Sequence, residues 1–126
     1  MPSGITNYYL VDLGIKQDVT NELADGDAVI VCQPCVVAGT IKAIWVCADV
    51  LPTIGTLTVL NGNRNDQALI TSLDLTTLTA NIGASQTLGT GVKVGKGDML
   101  RGTWTLTDIG SGIGFGCLVL IEADAT

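Results

Sequence analysis

Apolar and polar side chains alternate along most of this chain with a period of two. In "MLRGTWTLT", Leu100, Gly102, Trp104 and Leu106 share one parity, while Arg101, Thr103, Thr105 and Thr107 share the other. That is the pattern of a strand with one dry and one wet face. In "LITSLDLTT", Leu69, Leu73 and Leu75 alternate with Ser72, Asp74 and Thr76, and "GTLTVL" sets Leu57 and Val59 against Thr56 and Thr58. Two segments depart from the rule. "TIKAIWVCA" carries Ile41, Ala43, Trp45 and Cys47 on one parity and Ile44, Val46 and Ala48 on the other. In "FGCLVLIE", Phe115, Cys117, Val119 and Ile121 oppose Leu118 and Leu120. Strands apolar on both faces need cover on both sides. In a small two-layer domain the second cover comes from a loop, an arm or a neighbouring subunit.

The pattern predicts about eight strands, near Tyr8–Leu13, Ala28–Cys32, Cys35–Ala48 (broken near Gly39), Gly55–Leu60, Ala68–Leu78, Thr87–Val94, Met99–Thr107 and Gly114–Glu122. Gly26-Asp27 and Gly97-Asp98 precede strands as turn residues do. A helical spacing occurs once, at Ile15, Val19 and Leu23, and is long enough for a turn or two. Eight short antiparallel strands in one domain fit an all-β, jelly-roll-like sandwich. Residues 1–7 read as an extended N-terminal arm, and 8–126 as the sandwich domain.

Composition sharpens this picture. Of the 126 residues 47% are hydrophobic, yet only 14% are charged, against about 25% in an ordinary domain. A surface so poor in charge implies cover by something else, most simply further copies of the chain. The six basic residues, Lys16, Lys42, Arg64, Lys93, Lys96 and Arg101, are scattered within a net charge of −6. Nucleic acid requires a concentrated positive footprint, and anionic membranes attract the same feature, so neither is expected as a partner. No apolar run reaches the ~18 residues of a membrane span. The opening "MPSGITNYYL" lacks the basic and long apolar regions of a secretory signal. The expectation is synthesis in a reducing cytoplasm with thiols rather than disulfides.

The candidate chemistry is thin. Cys32 and Cys35 in "CQPC" have redox-motif spacing, but a thioredoxin-type pair needs a following helix N-terminus to lower the thiol pKa. Here "VVAGTIKAIWV" comes next, a β-branched sheet former. A zinc knuckle needs two more ligands, and the chain has no histidine, while Cys47 and Cys117 stand apart. Three apart on a regular strand, Cys32 and Cys35 point to opposite faces and read as core or interface residues. Without histidine, serine or cysteine nucleophiles lack their usual base. Asp25, Asp27, Asp98 and Asp108 read as solvated turn or strand-flanking aspartates rather than a glycosidase pair. "GTGVKVGKGD" and "GSGIGFG" lack the strand–loop–helix setting of a phosphate site. No enzyme, cofactor, metal or small-molecule substrate is expected. Trp104 reads as core. Trp45 and the pair Tyr8–Tyr9 have the amphipathic rings favoured at interfaces, with a carbohydrate platform as the alternative.

From Ala38 onward the order of signals resembles the small capsid decoration (cement) proteins of tailed bacteriophages. The carrying pieces are "AGTIKAIWVCAD", "GTLTVLNGN", "ALITSLDLTTLTAN", "VKVGKGDMLRGTWTLT" and "GFGCLVLIEA", about two-thirds of the chain. Their one local motif is Gly97-Asp98-Met99-Leu100, and "CQPC" lies outside the pattern. The resemblance implies a non-enzymatic trimer on the outer capsid surface of a virion. There it would clamp major capsid protein subunits against the pressure of packaged DNA. On that reading Pro2, Ser3, Gly4, Ile5, Thr6, Asn7, Tyr8 and Tyr9 contact the capsid or a sister subunit, and Ile44, Trp45 and Val46 form the trimer seam. A carbohydrate- or receptor-binding sandwich and a neck or tail component are the rival expectations.

Overall fold

Local alternation of side chains becomes sheet in nearly every segment that shows it. The structure, a computed structural model, describes residues 7–15, 28–52, 54–86, 92–106 and 113–124. Nine strands are present among them: β1 (Tyr8–Asp12), β2 (Ala28–Pro34), β3 (Gly39–Val50), β4 (Gly55–Asn61), β5 (Gln67–Asp74), β6 (Ala84–Gln86), β7 (Val92–Val94), β8 (Met99–Leu106) and β9 (Ile113–Ala123). They form two antiparallel sheets. Sheet A runs β1-β9-β3-β6, with β7 also on β3, and sheet B runs β2-β8-β4-β5. Of the strand expected at Thr87–Val94, Val92–Val94 is present as β7 and residues 87–91 lie outside the described residues; β6, at Ala84–Gln86, precedes the expected range, and the two pieces lie along different parts of β3. Counted as one broken strand, they leave two four-stranded sheets of consecutive-strand exchange, the arrangement of a jelly roll. The helical spacing after Ile15 lies outside the described residues.

The core is the space between the sheets. Sheet A contributes Val11, Ile44, Val46, Val119 and Ile121; sheet B contributes Leu57, Val59, Leu100, Trp104 and Leu106. Trp104 joins the layers. Its ring lies 5.4 Å from that of Phe115 on β9, and its indole Nε1 donates to the Leu13 carbonyl at 2.9 Å. A buried indole needs that acceptor, because an unpaired buried donor costs about 1–3 kcal/mol.

Three departures from simple alternation shape the surfaces. On β3, Ile41 pairs with Ile121 and Ala43 with Leu120, so Lys42 is an extra residue. This bulge reverses the parity: Ile41 and Ile44 both face the core, and Ile41 does not share a face with Trp45. On β5 the register slips against β4, with Ser72 at φ 56°. Leu69 and Ile70 are then both buried, and the strand stops at Asp74 rather than reaching Leu78. A 3-10 turn, Leu75–Thr77, comes after it. Asp74 caps it, its Oδ1 accepting from the Thr76 N–H at 2.9 Å and hydroxyl at 2.7 Å. These bonds hold the Asp74 pKa below its ordinary value.

Candidate functional site

The outer faces of the two sheets differ in kind. On sheet B, Thr56 pairs with Thr105 and Thr58 with Thr103 across β4 and β8, a hydroxyl-bearing surface with Arg101 ion-paired to Asp66 at 3.1 Å; toward β2 it also exposes Ile30, opposite Thr103, and Met99. On sheet A, one cross-strand row runs Asp12, Leu118, Trp45, Ser85 and the next runs Leu10, Leu120, Ala43. Leu10 is 57% exposed, Trp45 47% and Leu118 38%. Large apolar groups in adjacent rows form a patch, the arrangement that marks an interaction surface rather than scattered exposure. At one end of the face Lys42 pairs with Glu122 at 3.4 Å and Lys93 with Asp124 at 2.7 Å, while Asp12 stands in the Leu118 row.

Beside Trp45 and Leu118 the face is indented by a cleft of about 380 Å3. Its depth comes from missing side chains: Gly14, Gly83 and Gly116 line it together with Cys47. At Gly116 a Cβ would stand 2.8 Å from the Cys47 Sγ, so the floor is held by glycine. Among the described residues that line it, Asp12 is the one that carries a charge. Such walls suit an apolar side chain better than the hydroxyls of a sugar.

The seam residues expected from sequence divide. Ile44 and Val46 are 0% exposed, covered by sheet B of the same chain, and so cannot form a seam. Their neighbour Trp45 alone presents its side chain outward. The residue that joins it is Leu118, directly opposite on β9. Its outward parity is visible in "FGCLVLIE", but nothing in the linear sequence aligns it with Trp45. Of the arm contacts, Pro2, Ser3, Gly4, Ile5 and Thr6 lie outside the described residues. Asn7 is exposed, and its carbonyl accepts from the Ala123 N–H at 2.8 Å. Tyr8 is an exposed strand residue. Tyr9 is turned to its own chain, its hydroxyl donating to the Val37 carbonyl at 2.6 Å.

The cysteines are all free thiols. Cys32 is exposed and Cys35 buried, on opposite sides of the end of β2. The next element is the strand β3, so among the described residues no helix follows the pair. Burial, and after it the Asp98 charge, instead pushes the Cys35 thiol up. Cys117 faces the core, and burial pushes its pKa up to about 12. Among the described residues no group of three His, Cys, Asp or Glu side chains is placed to hold a metal.

Asp98 is not the solvated turn aspartate that its place after a glycine implies. It is 3% exposed and accepts four hydrogen bonds. Its Oδ2 takes the Gly95 N–H at 2.8 Å, Arg64 Nε at 2.9 Å and Asn61 Nδ2 at 3.0 Å; its Oδ1 takes Asn63 Nδ2 at 2.7 Å. The Gly95 N–H first, then Asn61, with Arg64 and Asn63, hold its carboxyl well below the usual carboxylate range. The cluster ties the turn after β4 to the turn before β8. Backbone bonds add the end of "CQPC": Gly97 N–H to the Cys35 carbonyl and Cys35 N–H to the Asp98 carbonyl, both 2.7 Å. Gly97 permits this with φ 86°, in the left-handed region. The work of the cluster is to fix loops at the end of the sandwich.

Comparison with protein-family models, curated proteins and solved structures finds no match to this chain.

Proposed function

We propose that the chain is a non-enzymatic structural protein that binds the outer surface of a tailed-phage capsid as a homotrimer and stabilises the major capsid protein lattice. The observation that carries this reading is the asymmetry of the sandwich. The middle strands of one outer face carry threonine and an ion pair, with Ile30 and Met99 exposed toward its β2 side; those of the other carry Trp45 and Leu118, with Leu10 beside them, around an apolar cleft. Covering apolar surface yields about 25 cal/mol per Å2, so a face of this kind stores adhesive free energy that a lone molecule leaves unused. The resemblance of the strand order from Ala38 onward to capsid decoration proteins supplies the partner, the major capsid protein. Trp45 and Leu118 are the seam, and the residues before Tyr8 are a second contact. Three such contacts per trimer act together through effective concentration, so each can be weak.

The test is co-sedimentation with expanded empty heads built of the cognate major capsid protein. The wild-type chain is expected to pellet with the heads. A Trp45→Asp, Leu118→Asp double variant, folded by circular dichroism, is expected to stay in the supernatant. Undiminished pelleting of that variant would remove sheet A from the mechanism, and a wild-type chain that ignores heads would refute the proposal.

A further inference from the structure

The turn that packs on Asp98 contains Asn61-Gly62, the one asparagine–glycine step in the chain. An asparagine in that position is open to self-attack. The backbone nitrogen of the next residue loses its proton to water or hydroxide and adds to the side-chain Cγ. The new C–N bond closes a succinimide, and the side-chain nitrogen leaves as ammonia. Water then opens the ring to aspartate or isoaspartate, so the net reaction is hydrolysis of one amide. Glycine favours the step because it has no Cβ to crowd the attacking nitrogen or restrict the backbone. In the folded chain the groups this reaction needs are all engaged. The Gly62 N–H donates to the Met99 carbonyl at 2.9 Å, which holds the proton that must leave. The Asn61 side chain is bonded at both ends: Nδ2 donates to Asp98 Oδ2 at 3.0 Å, and Oδ1 accepts from the Asn63 N–H at 3.1 Å. Asn61 is also the last residue of β4, paired with Gln67 on β5 and Leu100 on β8, so its backbone is not free to swing the nitrogen onto Cγ. The residue is buried, which keeps solvent base away.

We infer that Asn61 is a deamidation site guarded by the fold, closed while the turn after β4 packs on Asp98 and open when that turn comes apart. The product does not fit back. Aspartate at 61 sets a carboxylate where the amide now donates, 3.0 Å from Asp98 Oδ2, and two carboxylates so close do not both stay ionised. One must take up a proton to restore a hydrogen bond between them. The charges nearby do not change this. Arg64, in the same turn, is already bonded to Asp98; Asp66 and Arg101 pair with each other; Lys96 is exposed in the turn that holds Asp98. The Cys35 thiol is near enough to sense the Asp98 charge and brings no positive charge. Isoaspartate is worse, because it adds a carbon to the main chain inside the turn that the Arg64 N–H closes on the Asn61 carbonyl. Opening of this turn therefore becomes irreversible with time, and the lifetime of the chain depends on how often it opens. The inference stands apart from the proposed capsid role, although any partner that binds only the folded chain lengthens that lifetime.

The experiment incubates the full chain at mildly alkaline pH, folded in buffer and unfolded in guanidinium chloride, and follows deamidation at Asn61 by tandem mass spectrometry. The rate is expected to be at least about tenfold higher in the denaturant, since in buffer it is limited by local opening. A smaller ratio would overturn the inference. Asp98→Asn, folded by circular dichroism, tests what guards the site. It is expected to deamidate at Asn61 faster than wild type in buffer and equally fast in guanidinium chloride; equal rates in buffer would remove the Asp98 cluster from the guard. The product is tested as Asn61→Asp. Its denaturation midpoint at pH 7 is expected to lie below that of wild type and to recover toward about pH 5, because the folded pair binds a proton that unfolded carboxylates, with pKa near 4, do not. An unchanged midpoint, or a deficit as large at the lower pH (a variant unfolded at both included), would overturn the exclusion of the product.

Discussion

The two outer faces of the sandwich rest on equally apolar interiors, yet the middle strands of one turn threonine outward and those of the other turn tryptophan and leucine. In sheet B the strands that bury Leu57, Val59, Trp104 and Leu106 turn Thr56, Thr58, Thr103 and Thr105 outward. In sheet A the strands that bury Ile44, Val46, Val119 and Ile121 turn Trp45, Leu118 and Leu120 outward. Interior packing therefore does not explain the outward residues of sheet A. On the proposed reading, a further surface covers them. The two tryptophans make the same point on single residues, one sealed between the sheets and one standing on the open face.

The comparison is broken most severely if those tryptophans prove interchangeable. Trp104→Ala removes a fully buried ring and its bond to Leu13, and is expected to cost about 3–5 kcal/mol. Trp45→Ala is expected to cost under about 1 kcal/mol in the unassociated chain. Urea denaturation of both variants at high dilution measures the difference. Equal losses would mean that Trp45 belongs to the core.

Asp98 sets the next scale, because it stabilises the loops and neither face. Asp98→Asn is expected to destabilise the chain by about 2–4 kcal/mol at neutral pH, since hydrogen bonds to a buried charge are lost together. The folded pKa is depressed, so the stabilisation is complete above the unfolded value near 3.9 and is lost as pH falls below it. The stability gap between wild type and Asp98→Asn should therefore narrow between about pH 5 and pH 2. A gap independent of pH would show that the charge is not what the cluster recognises. The smallest effect belongs to the wet face. Thr58→Ser and Thr103→Ser are expected to change stability by less than about 0.5 kcal/mol and to leave head binding untouched in the same sedimentation assay.

Which of these features the sequence reveals depends on the range of the interactions involved. Strand alternation is local, so β4, β8 and β9 and the sidedness of Leu118 are plain from parity. The doubly apolar character of β3 is equally plain, but not which parity meets the core. That depends on the bulge at Lys42, a matter of register with β9 that no local pattern announces. Asp98 escapes for a similar reason. Asp after Gly at a turn is ordinarily solvated, and only the fold brings Asn61, Asn63 and Arg64, more than thirty residues away, around its carboxylate. A seam of Ile44, Trp45 and Val46 fails because adjacency in sequence is not adjacency on a surface: in a strand, neighbours point apart.

The most direct measurement is hydroxyl-radical footprinting of the chain dissociated at high dilution and of the head-bound protein, comparing each residue with itself. Trp45 and Leu118 on sheet A should lose reactivity on assembly, while Ile30 and Met99, exposed on the outer side of sheet B, should keep theirs. Protection of Ile30 and Met99 with Trp45 and Leu118 unchanged would contradict the assignment of sheet A as the adhesive face.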